Sequence, residues 1–100
     1  MDYEVRWPGP ALAELEALVE YIAKRSPDTA QRVGEALFNH VRILRSFPNI
    51  GPVYRVDARG TIRQITYKTY RIFYRVFEAD KYVRVLAVRH GSRDETINLD

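Results

Sequence analysis

Tyr70-Arg71-Ile72-Phe73-Tyr74-Arg75-Val76-Phe77, a break at Glu78-Ala79-Asp80-Lys81, and then Tyr82-Val83-Arg84-Val85-Leu86-Ala87-Val88-Arg89 are the stretch on which the fold turns. Both runs are dense in aromatic and β-branched residues, which favour strands. The polar break between them has the length of a hairpin loop. Period-two alternation places Tyr70, Ile72, Tyr74 and Val76 on one face of the first run, and Arg71, Phe73, Arg75 and Phe77 on the other. Apolar residues on both faces predict a central strand, buried on both sides for part of its length. In the second run Val83, Val85 and Ala87 are expected on one face, Leu86 and Val88 on the other.

Working back toward the N-terminus, Thr61–Tyr67 is a third β-rich run. The short connections allow only an antiparallel meander, since parallel neighbours need long crossovers. Asn49-Ile50-Gly51-Pro52 is a turn cluster. Residues 53–60 fit either a short edge strand or an extended loop. Residues 27–46 read as a helix with Ala30, Val33, Leu37, Val41 and Leu44 on one stripe, started by Ser26-Pro27 and stopped by Phe47-Pro48. Residues 11–25 read as another, with Leu12, Leu15, Leu18, Val19 and Ile22 near helical spacing. Tyr3, Val5 and Trp7 alternate with Glu4 and Arg6 as a short first strand, ended by Pro8-Gly9-Pro10. The expected order is β-α-α-β-β-β in an α+β domain over residues 1–100. A helical hairpin covers one face of a small antiparallel sheet, and the other face is left for basic residues.

Composition narrows the function. The chain has 100 residues, 46% of them apolar, 12% aromatic and none cysteine. That fits a folded globular protein and excludes a disulfide framework, a thiolate zinc site and a cysteine nucleophile. No apolar stretch approaches bilayer length and the N-terminus lacks a signal-peptide pattern, so no membrane partner and a cytoplasmic location are expected. The net charge of +3 is unevenly placed: residues 52–93 carry ten Lys/Arg against three Asp/Glu, while residues 1–51 carry six against seven. A basic second half draws polyanions such as nucleic acid, or an acidic protein segment.

Few side chains can carry chemistry. His40 lies mid-helix and reads as structural. His90 ends the last strand beside Arg89, where neighbouring cations favour the neutral imidazole that a general base needs. Arg71 sits among apolar residues and must reach the open sheet face, a carboxylate or an anion, because an unpaired buried guanidinium is too costly. Its mixture with Phe73 and Phe77 on one face suits a single-stranded nucleic acid, and equally an apolar edge with solvated arginine ends. The meander is expected to bring Arg63 or Lys68 toward Arg71 and His90, a set sufficient for phosphate charge stabilisation and proton transfer. Asp57, Glu78, Asp80 and Asp94 are scattered and mostly in expected turns, with no metal-ligand spacing, so neither metal nor cofactor is expected.

These features together resemble the RelE/ParE superfamily of toxins from bacterial toxin–antitoxin operons. The resemblance runs along nearly the whole chain: Tyr3–Trp7, Ala11-Leu12-Ala13-Glu14-Leu15, Tyr21-Ile22-Ala23 before Ser26-Pro27, Phe47-Pro48-Asn49-Ile50-Gly51, Tyr70–Val76, and Val85–Val88 followed by Arg89-His90-Gly91-Ser92-Arg93-Asp94. It implies a growth-inhibiting toxin held inactive by an antitoxin whose C-terminal segment wraps the helices and the sheet, in a complex that can be of higher order. The superfamily divides by target. A ParE-like member poisons DNA gyrase without hydrolysis. A RelE-like member cuts mRNA on the ribosome, and for that branch Arg71 matches the phosphate-binding arginine, His90 a histidine acid or base, and Arg63 and Arg93 are the further cations. The catalytic tyrosine of several ribonuclease members has no match here and lysines on the second strand of the meander are few. The resemblance therefore leans to ParE-like gyrase poisoning, with a ribosome-dependent endoribonuclease and an inert antitoxin-binding relative as the alternatives.

Overall fold

The computed structural model describes residues 2–91. Strand β1 (Glu4–Arg6) leads into helices α1 (Gly9–Ala23) and α2 (Pro27–Val41) and a 3-10 turn at Arg42–Arg45. Strands β2 (Val53–Asp57), β3 (Gly60–Tyr67), β4 (Tyr70–Phe77) and β5 (Tyr82–His90) follow. The sheet order is β1-β5-β4-β3-β2. The helical hairpin lies on one face of this sheet, as the patterning predicts.

Local chemistry explains the element ends. The Ser26 hydroxyl accepts from the Thr29 N–H at 3.2 Å and Pro27 occupies the first helical position, so α2 has both parts of its start signal. Helix α1 begins at Gly9, two residues before the expected start, because Pro10 is tolerated in a first turn. Helix α2 tightens at Arg42 into the 3-10 turn and stops ahead of Pro48.

The main core lies between helices and sheet. Leu15 of α1 and Leu37 and Val41 of α2 pack against Ile65, Ile72, Tyr74, Val83, Val85 and Val88. On the outer face a smaller cluster joins Ile62, Phe73 and Ala87, with Tyr54 and Leu86 at its margin. Strand β4 is thus buried on both sides at its centre, as expected.

Three features depart from the sequence reading. Residues 53–57 form a true edge strand, antiparallel to β3, with a register irregularity between Val53 and Arg55. The sheet is mixed, because β1 pairs parallel to β5, Val5 opposite Val83. A distant N-terminal strand is free of the connection-length limit that makes the meander antiparallel. Finally, Phe73 pairs with Ala87 and Tyr74 with Val85, which leaves Leu86 as an extra residue in β5. That bulge moves Ala87 to the outer face and Val88 to the helix side, the reverse of strict alternation.

Candidate functional site

The outer face of the sheet is built around β4. Register places Arg71, Phe73 and Arg75 on that face, beside Ile62, Gln64 and Thr66 of β3 and Arg84, Ala87 and Arg89 of β5. The guanidiniums there have different fates. Arg75 is gripped by Asp57 through two hydrogen bonds, Nη1 to Oδ1 at 2.9 Å and Nη2 to Oδ2 at 3.1 Å. The Arg75 side chain is only 5% exposed, so it is committed to holding β2 on the sheet. This bidentate grip holds the Asp57 carboxyl down at about 2, and the Arg59 N–H helps, against the partial burial that pushes it up. Arg89 is neutralised by Glu14 of α1, which also accepts the N–H of Val88 and so covers the β5 edge beyond the end of β1. Arg6 pairs with Glu4 at 2.9 Å and lies 3.8 Å over the Tyr82 ring.

Arg71 is held differently. Its Nε donates to Gln64 Oε1 at 3.0 Å, and its guanidinium carbon lies 4.9 Å from the Phe73 ring centre and 5.7 Å from that of Tyr54. Two aromatic rings and a neutral amide therefore orient this cation while leaving its charge in place. Among the described residues no carboxylate pairs with Arg71, nor with Arg84 on the neighbouring strand. Gly91 closes onto the same place, its N–H bonded to the Thr69 carbonyl, and a Cβ there would lie 2.6 Å from that oxygen and 3.9 Å from Arg71 Cδ. The result is a positively charged, aromatic-lined surface that can receive an anion.

The other expected site residues do not join it. Arg63 pairs with Tyr74 in register and points to the helix side, where Nη1 donates to the Gly51 carbonyl at 2.8 Å. It props the 49–52 turn, whose Gly51 N–H donates to the buried Tyr74 hydroxyl at 3.0 Å. Burial pushes the Tyr74 phenol above its ordinary value. His90 pairs with Tyr70, also on the helix side, with the two rings edge to face at 5.5 Å. Tyr67, opposite Tyr70, meets the His40 ring at 5.4 Å. Arg71 and His90 thus lie on opposite faces of the sheet. Lys68 sits in the β3–β4 turn with φ of 53°. Arg93 lies outside the described residues. The sequence reading missed the Asp57–Arg75 pair, and its one signal was that Arg75, like Arg71, needs a partner among apolar neighbours. Among the described residues no three His, Cys, Asp or Glu side chains gather as a metal site, and no helix is long and apolar enough to cross a membrane.

Residues 5–95 match the model of the family described as ParE toxin of the type II toxin–antitoxin system parDE. The chain belongs to this ParE toxin family. It is therefore a type II toxin–antitoxin toxin of the ParE/RelE kind. It is 34% identical over 90 residues to toxin RelE2 of Caulobacter vibrioides, covering 90% of this chain and 97% of that one. The RelBE2 toxin–antitoxin complex of Mycobacterium tuberculosis contains a chain of 25% identity that superposes with a TM-score of 0.61, over 90% of this chain and 99% of that one. The chromosomal ParDE system of P. aeruginosa supplies a similar fold, with a TM-score of 0.70 at 21% identity over 88% of this chain and 95% of that one. Within the ParE toxin family fold, the outer face of this chain sets Arg71 beside Phe73 and Tyr54.

Proposed function

We propose that this toxin arrests growth by binding and poisoning DNA gyrase rather than by cutting RNA. A cognate antitoxin holds it inactive by wrapping its C-terminal segment over the helices and the sheet. The observation that carries the reading is the separation of Arg71 from His90 and Arg63 across the sheet. RNA cleavage needs charge stabilisation and proton transfer at one phosphate. Here the cation is in front of the sheet and the imidazole is behind it. The Asp57 carboxylate on the front is occupied by Arg75. A surface on which, among the described residues, Arg71 and Arg84 have no carboxylate partner can bind a polyanionic target such as a DNA-bound enzyme without any bond being broken. The test adds purified toxin to gyrase and supercoiled DNA, and in parallel maps mRNA 5′ ends after brief induction. Cleaved DNA held on gyrase, unchanged mRNA ends and full toxicity of His90→Ala support the reading. New 5′ ends within codons that disappear in His90→Ala overturn it.

The RelE2 name of the 34% identical relative favours a second reading, a ribosome-dependent endoribonuclease. In that case Arg71 stabilises the phosphate, His90 serves as acid or base, and Arg63 and Arg93 supply further positive charge. Arg71→Ala or His90→Ala then abolishes cleavage while the fold persists. Growth without arrest on expression identifies an inert antitoxin-binding relative.

A further inference from the structure

The helical layer has the opposite chemistry to the outer sheet face. Helices α1 and α2 carry five carboxylates and one guanidinium, with Lys24 and Arg25 in the turn between them. A groove of about 610 Å³ runs between the helices. Its apolar lining includes Val19 of α1 and Phe38 of α2, the latter 45% exposed and stacked on Trp7 at 5.7 Å. Gly34 keeps the groove open and the helices close, since a Cβ there would lie 3.0 Å from Val19 Cγ2. Glu16 and Glu20 stand on one rim and Glu35 on the other. Among the described residues no lysine or arginine pairs with any of the three. Glu35 accepts from the neutral amide of Gln31, at 3.2 Å.

An apolar floor between two helices takes the apolar face of a third. Unpaired acidic rims on both sides select the charge of its flanks. We infer that the antitoxin segment seated on this groove is an amphipathic helix whose apolar stripe is bordered on both sides by lysine or arginine. The inference rests on the antitoxin reading above and adds the chemistry of the docking segment. It runs against the net charge of the toxin, which by itself would call for an acidic partner. The two faces thus make opposite demands, positive flanks over the helices and negative charge over Arg71.

The test uses the toxin co-purified with the antitoxin encoded beside it, and measures the dissociation constant at low and high salt. E16K/E20K/E35K is expected to weaken binding about tenfold or more at low salt, with the gap narrowing as salt rises. E16Q/E20Q/E35Q falls between, and helical content, thermal midpoint and growth arrest without antitoxin remain those of the wild type. Dissociation constants within twofold of wild type, with the same salt slope, overturn the inference while the antitoxin reading stands. If the wild-type toxin does not bind that antitoxin, the antitoxin reading falls and the inference with it. Should the triple reversal misfold, E20K is combined with a Lys→Glu or Arg→Glu scan of the antitoxin segment. Recovered affinity at one position supports the inference, and no recovery anywhere overturns it.

Discussion

The two ends of β4 set one arginine against another. Arg75 and Arg71 are four residues apart, on the same strand and the same face, each beside phenylalanine. At one end Arg75 is buried and locked bidentately to Asp57. At the other, Arg71 is half-buried, set against aromatic rings and, among the described residues, hydrogen-bonded to an amide rather than a carboxylate. The difference teaches that charge on this sheet divides into structural and presentable parts. A guanidinium with a dedicated carboxylate holds strands together, while one flanked by aromatics and amides keeps its charge for a partner.

The comparison breaks most visibly at its locked end. Asp57→Asn leaves the Arg75 guanidinium buried without a counter-charge, and thermal denaturation should show the midpoint falling by about 10 °C or more. Arg75→Met should cost less, because the Asp57 side chain, 28% exposed, can rehydrate when its partner is gone. An equal loss in the two variants would mean that the pair does not differ in burial as the structure has it. Midway along the strand, Tyr74→Phe removes the hydroxyl that accepts the Gly51 N–H. About 1–3 kcal/mol of stability should go with it, measured by urea unfolding. At the presentable end, Arg71→Ala should shift the midpoint by only a few degrees, since a cation–π contact that keeps access to water contributes about 1 kcal/mol. The same variant should weaken gyrase poisoning markedly in a cleavage assay. An Arg71→Ala toxin that unfolds would show Arg71 to be a structural arginine like Arg75.

The last effect is confined to acid. Asp57 is held at about 2 in the fold, against 3.8 for its ordinary value. A depressed carboxyl contributes its full stability above the unfolded value and loses it as pH falls through the folded one. Wild type should therefore lose its advantage over Asp57→Asn between about pH 4 and pH 2, and keep it unchanged from pH 5 to 8. A difference between the two that is flat across pH 2–4 would dissociate Asp57 from the lock.

Much of this was legible in the residues and some was not. The Ser26-Pro27 start and the helical stripe through Leu37 and Val41 are local signals. So is the alternation that puts Arg71 opposite Ile72. What failed was the extrapolation of alternation through β5, because the Leu86 bulge depends on how β5 meets β4. The expectation of Arg71, Arg63 and His90 side by side failed for a related reason. Register places Arg63 opposite Tyr74 and His90 opposite Tyr70, on the helix side, and strand order alone does not say which face a side chain takes.

The sequence by itself determined the helical hairpin, the meander, the basic second half and the family, because helix caps, hairpin loops and period-two patterning act over a few residues. Only the tertiary structure decided that β1 runs parallel to β5, that Asp57 consumes Arg75, that Glu14 neutralises Arg89, and that Arg71 is left with its charge. Each of these joins residues that are distant along the chain or brought together only by strand register, and the cost of an unpaired buried charge selects among the many partners a sequence allows.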